Sequence, residues 1–266
     1  MHAQSGGPES EATRRGSSLK RLIGSPGGRA YWSFTLYPQA AEGGGCFVPT
    51  LRAERVPGGA GSDPGRAQVE AGRRARAKLR RYAAANRLNR FWTLTYAGAG
   101  CFDQEELRWD VAGFFRALRR ELGEAFPYVW VPEWHPGGHG LHVHFAVGRF
   151  VRQTLIKEVW GRGIVHGKLI GDLPVGSGAL EEARVAAGYL AKYVSKNIAD
   201  QRIPHLHRYE VAQGFQPERL PLQADSQEAV VGLASEQMGS EPTRRWFSSD
   251  VEGWRAPPAY WCAWSV

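Results

Sequence analysis

Between Leu141 and Phe145 the chain alternates, with Leu141, Val143 and Phe145 in one set and His142 and His144 in the other. A period of two is that of a strand, whose successive side chains point to opposite faces. The apolar set therefore faces a core, and the two imidazoles share the other face. Tyr128–Trp134 reads as a second strand, and Pro136-Gly137-Gly138-His139-Gly140 between them supplies a hairpin loop. Phe91-Trp92-Thr93-Leu94-Thr95-Tyr96 is aromatic and β-branched, hence a strand, and another is predicted over 164–170. Leu107, Val111, Phe114, Phe115 and Leu118 recur at helical spacing and predict a helix over 103–122. A shorter helix is predicted near 152–160. Ala183, Ala186, Ala187, Leu190, Val194 and Ile198 give the apolar stripe of a helix over 180–198.

The order is strand, helix, hairpin, helix, strand, helix. Helices returning to one antiparallel sheet make an α+β domain of roughly residues 88–200. Before it, 66–88 is rich in Ala and Arg and reads as a basic helix carrying Arg73, Arg74, Lys78, Arg80 and Arg81. Residues 1–65 are rich in Gly, Pro and Arg and read as mostly irregular, with one candidate strand at 31–37. Short closing strands are expected near 244–247 and 260–264. The chain thus divides into an irregular N-terminal region (1–65), a domain with its leading basic helix (66–200), and a C-terminal extension packed on it (201–266).

Charge sharpens this division. The net charge is +8, yet the segment through Arg90 holds 16 Lys and Arg against 6 Asp and Glu, and the remainder 18 against 20. A basic arm suits nucleic acid, and a solvated charged face accounts for the same residues. Three widely spaced cysteines make neither a zinc spacing nor a disulfide framework, as in a reducing cytosol. With no apolar run near ~20 residues and no secretory h-region, a soluble cytoplasmic protein is expected.

Glu133 precedes His142 by nine residues, and across a tight hairpin it reaches the imidazole face. Two imidazoles and a carboxylate form a three-ligand metal site with positions open for substrate. The ligand set alone does not choose between zinc and a magnesium-type ion. His205-Leu206-His207 repeats the pattern without an upstream carboxylate. His135 and His139 fall at the loop and are expected to be exposed, and His166 to be structural. Tyr189 and Tyr193 lie one helical turn apart beside Lys192 and Lys196. Tyrosines at the edge of a helix stripe commonly serve packing alone. A phenol, with its reference pKa near ~10, becomes a useful nucleophile only when cations stabilise the developing charge.

With these residues in place, the chain resembles the HUH endonucleases, the initiators of rolling-circle plasmids and small single-stranded DNA phages. Phe91-Trp92-Thr93-Leu94-Thr95 resembles the first motif of that family, Glu133 through His144 the second, and Tyr189 through Lys196 the third. The tyrosines four apart are similar to the two-tyrosine phage type. The resemblance implies an HUH/RRM-like, ferredoxin-like arrangement and a replication initiator that nicks and rejoins single-stranded or hairpin origin DNA through a 5′-phosphotyrosine link. It implies Mg²⁺ or Mn²⁺ held by His142, His144 and Glu133, Tyr189 or Tyr193 as nucleophile, and Lys192 and Lys196 as charge stabilisers. It also places Thr93 and Thr95 near DNA. No G-x-x-x-x-G-K-[ST] loop is present, so a host helicase and polymerase are implied as partners. Rival readings are a transposase of the same chemistry, a non-catalytic origin-binding protein, and a zinc hydrolase that ignores the tyrosines.

Overall fold

The computed structural model describes residues 22–24, 28–53, 63–169, 179–199 and 209–265. In chain order β1 (Leu22–Gly24), β2 (Tyr31–Tyr37), β3 (Glu42–Val48) and β4 (Leu51–Ala53) precede α1 (Pro64–Ala85). Then come β5 (Arg90–Leu94), α2 (Gln104–Leu122), β6 (Tyr128–Trp134), β7 (Leu141–Val147), α3 (Gln153–Trp160), β8 (Val165–Leu169) and α4 (Ala179–Ala199). The chain closes with β9 (Glu210–Val211), β10 (Leu220–Ala224), α5 (Gln227–Met238), β11 (Arg244–Phe247) and β12 (Ala259–Ala263).

The expected α+β class holds, and the elements from β5 to α4 fall within about two residues of their predicted bounds. β5 to β9 build an antiparallel sheet in the order β8-β5-β7-β6-β9. Alternation gives this sheet two covered faces. Trp92, Leu94, Trp130, Val143 and Phe145 pack with Leu107, Phe114 and Phe115 of α2 and with Ile156 and Trp160 of α3. Phe91, Val129, Val131 and Ala146 pack with Leu79 and Tyr82 of α1 and with Ala186, Ala187 and Leu190 of α4. The histidine face is therefore roofed by α1 and α4. Pro132 sits inside β6, but β9 pairs only with Val129 and Trp130, so the missing proline N–H falls past that ladder.

The flanks depart from expectation. Residues 31–48, read as largely irregular, supply β2 and β3 to a second five-stranded antiparallel sheet, in the order β10-β2-β3-β12-β11. Its other strands come from the far end of the chain. The misleading signal was Gly43-Gly44-Gly45, which looks like a loop. In the structure the Phe34 ring lies over Gly43, where an added Cβ would meet it at 2.4 Å, and at Gly45 a Cβ would meet the Ser33 carbonyl at 1.7 Å. Close cross-strand packing, which only glycine permits there, replaces the β propensity that the residues lack.

Two arginine clamps join the sheets. Arg80 (2.9 and 3.0 Å) and Arg81 (3.0 Å) both donate to the carboxylate of Glu42, which is 1% exposed. Arg184 on α4 donates to the carbonyls of Ala40 (3.2 Å), Ala41 (3.0 Å) and Trp264 (3.2 Å). The second sheet thereby buttresses both roof helices. Glu42→Ala strands two half-buried guanidinium groups, which still reach water. The expected loss is about 2 kcal/mol, below the ~3–5 kcal/mol for breaking a fully buried pair, measured by urea unfolding against wild type.

Candidate metal centre

The β6–β7 register sets Glu133 directly opposite His142, and Val131 opposite His144. Directly opposed residues share a face, so the hairpin alone brings the carboxylate to the imidazoles. Glu133 Oε2 lies 2.9 Å from His142 Nε2 and 2.8 Å from His144 Nε2. All three residues are buried, and their ligand atoms lie within 4.8 Å of one another. Thr93 Oγ1 is 3.0 Å from His144 Nδ1, holding that ring from behind as an outer-shell partner holds a metal-ligating imidazole.

The hairpin is anchored from outside the sheet. Gly140 has φ of 78° and Gly100 φ of 83°. A Cβ at Gly140 would meet the Cys101 carbonyl at 2.2 Å, and one at Gly100 the His139 carbonyl at 2.4 Å. Only glycine lets these two loops approach so closely. The contact carries a 2.6 Å bond from Leu141 N–H to the Cys101 carbonyl, which fixes the start of β7.

These groups fit a divalent ion: three converging N and O donors, oriented from behind, leave further coordination positions to substrate or water. The α4 helix meets the centre from above. The rings of His144 and Tyr193 stack at 3.8 Å with 20° between their planes. Phe91 stacks on both, at 5.4 Å from His144 and 6.1 Å from Tyr193. Tyr189, one turn away, packs into the same apolar cluster, and Lys192 Nζ lies 4.9 Å from its ring centre. The side chain of Lys196 and all of His205-Leu206-His207 lie outside the described residues.

The other expected site residues scatter. Thr95 is half-buried, and its hydroxyl donates to the Ile164 carbonyl at 3.1 Å. Arg73 pairs with Glu70 at 3.0 Å, Arg74 and Lys78 are exposed on α1, and Arg80 and Arg81 hold Glu42. Among the described residues the zinc-hydrolase alternative gains no ligand beyond this triad. Sequence reasoning missed three neighbours. Phe91 supplies a stacking floor. His166, taken as structural, is exposed and opposes Thr93 in the row that continues to His144. His135 is half-buried, with its ring 5.3 Å from that of His142. Strand alternation through β8 was the signal available for His166.

Other nucleophile candidates fall away. Burial pushes the Cys262 thiol up to about 11 and raises Cys101, so both stay protonated at neutral pH. Burial likewise raises the phenols of Tyr82, Tyr96 and Tyr260, all in core positions.

A carboxylate–histidine pair on an antiparallel sheet, roofed by a tyrosine-bearing helix, defines a metal-centre domain of the α+β class. Residues 89–198 match the family model of the replication-associated protein ORF2. The matched stretch runs from just before β5 through α4, covering the triad, Thr93 and both tyrosines. Over those residues the chain is a replication-associated domain of the ORF2 family, consistent with a rolling-circle replication initiator. Neither a curated protein nor a solved structure matches the chain. Among the described residues no helix is long and apolar enough to cross a membrane.

Proposed function

We propose that this protein nicks and rejoins single-stranded origin DNA through a tyrosine–phosphate link and so starts rolling-circle replication. The observation that carries the reading is the stack of Tyr193 on His144 at 3.8 Å, which brings a phenol-bearing helix onto the Glu133–His142–His144 centre. A divalent ion, Mg²⁺ or Mn²⁺ in this reading, supplies Lewis-acid polarisation of the scissile phosphate.

The chain's own groups do the rest. The phenol oxygen attacks phosphorus, an O–P bond forms, and the P–O3′ bond breaks. The phenol proton passes to water and the leaving 3′-oxygen takes one up, so no proton is consumed overall. Lys192 and Lys196 stabilise the negative charge that builds on phenolate and phosphate. The 5′ end stays on the protein, and the free 3′-OH can prime synthesis or attack the link in reverse. Thr93 holds the His144 ring, and Thr95, Arg73, Arg74 and Lys78 guide the strand by hydrogen bonds and charge. Strand separation and extension fall to a host helicase and polymerase.

The test uses a random-centre pool of 3′-fluorescent single strands, incubated with protein and Mn²⁺ and run on a denaturing gel. A labelled protein band is expected that disappears with chelator and with the Tyr189→Phe/Tyr193→Phe double variant. No band from wild type, or a band that survives both tyrosine losses, rejects the reading.

A further inference from the structure

We propose that the open face of the second sheet, beside α1, is a second binding site for single-stranded DNA. The inference rests on the reading of this chain as a single-strand DNA enzyme, but it concerns a surface outside the replication-associated domain's own sheet.

Register assigns the faces. Gly44 opposes Thr35 on one side and Trp261 on the other, and Trp261 opposes Trp246. These residues share one face. The opposite face presents Phe34, Leu36, Tyr260 and Cys262 to Val230 and Ala234 of α5. α1 lands on one edge of the first face through the Glu42 clamp. Between them runs a groove of about 570 Å³, lined by Arg73, Arg76 and Arg80 above and by Gly44, Trp246 and Trp261 below. A second groove of about 760 Å³, with Arg74, Lys78, Arg81 and Arg219, follows the other side of α1. No carboxylate lines either groove among the described residues.

The floor is informative. Gly43 and Gly45 are needed by the sheet itself. At Gly44 an added Cβ would meet its nearest neighbours only at 3.3 and 3.6 Å, so packing demands glycine far less there. Its smallness leaves a flat strip between tryptophans. The guanidinium of Arg80 lies 5.4 Å over the Trp261 ring, and that of Arg81 lies 4.5 Å over Tyr37. A row of cations above a flat aromatic floor fits phosphates on one side and unstacked bases on the other. A duplex offers phosphates but keeps its base faces stacked, so a single strand uses both halves of the groove. α1 spans 22 residues, about 33 Å, and roofs both sheets, giving one continuous cationic edge.

The experiment measures anisotropy of fluorescein-labelled dT30, rU30 and a 30-base-pair duplex, in chelator, across salt. Arg73→Glu/Arg76→Glu is expected to weaken dT30 binding more than tenfold and to flatten its log–log salt slope by about 1.4. Trp246→Ala is expected to weaken dT30 by about fivefold or more while leaving the duplex unchanged. Because Trp246 also contacts Trp254 at 5.7 Å, the arginine variant serves as the arm that folding does not confound. Undiminished dT30 binding in the arginine variant overturns the proposal. So does a parallel fall for duplex in Trp246→Ala, or tighter binding of rU30 than of dT30. Tyr189→Phe/Tyr193→Phe is expected to bind dT30 as wild type does, so failure of the nicking reading and failure of this site are read separately.

Discussion

Tyr193→Phe is expected to lower the rate of covalent adduct formation on the order of 10³-fold, about 4 kcal/mol of transition-state stabilisation. Tyr189→Phe is expected to stay within roughly tenfold of wild type in the first cleavage. Helical spacing treats the two phenols alike, since both precede a lysine by three residues. The tertiary structure separates them. Tyr193 stacks on a metal-centre histidine with Phe91 beneath it, whereas Tyr189 sits one turn back with Lys192 against its ring. A ring held against His144 needs little reorientation to reach a phosphate held there, and pre-positioning of that kind is worth orders of magnitude. Single-turnover adduct assays on each variant decide the matter. Full activity in Tyr193→Phe with loss in Tyr189→Phe would reverse the assignment. In this reading the second phenol acts on the regenerated site, so Tyr189→Phe should fail in a coupled second transfer.

Saturating metal is expected to raise the melting temperature of chelator-treated protein by about 5–10 °C. At a hundred times Kd a ligand specific to the native state contributes about 2.7 kcal/mol, and a chain of this size shifts about 2–4 °C per kcal/mol. Without an ion, one Glu133 oxygen takes both imidazoles as hydrogen-bond partners, so the buried polar groups satisfy one another. The ion exchanges those bonds for ligand bonds at the same three atoms. Glu133→Ala and His142→Ala should each abolish the shift, and the Tyr193→Phe variant should keep it. A thermal scan with Mn²⁺, Mg²⁺ and Zn²⁺ tests this, and a shift that survives in Glu133→Ala would remove the triad from consideration. Zinc is expected to give the largest shift whatever metal serves catalysis, because N/O sites generally favour it over manganese.

Much of the site was legible before any coordinates. A period of two on β7 obliges His142 and His144 to share a face, and a short hairpin obliges Glu133 to meet them there. A period of 3.6 on α4 obliges Tyr189 and Tyr193 to share a side. These are consequences of backbone geometry within a few residues, which is why they survive unchanged. Long-range pairing was illegible. Nothing local joins β2 and β3 to β12, more than 200 residues away, and the Gly43-Gly44-Gly45 run argued against a strand there. Its partners Phe34, Tyr260 and Trp261 supply the packing that makes it one.

The basic helix makes the same division. Composition identified α1 and its cations, but only the fold distinguished Arg80 and Arg81, committed to Glu42, from Arg74 and Lys78, which face solvent. By itself the sequence determined the repeating backbone elements, the triad and the phenol pair, since each follows from a short fixed period. Tertiary structure alone decided which phenol meets the imidazoles, which arginines hold the two sheets together, and that a second sheet exists. Those outcomes depend on contacts between residues far apart in the chain, and no local period encodes them.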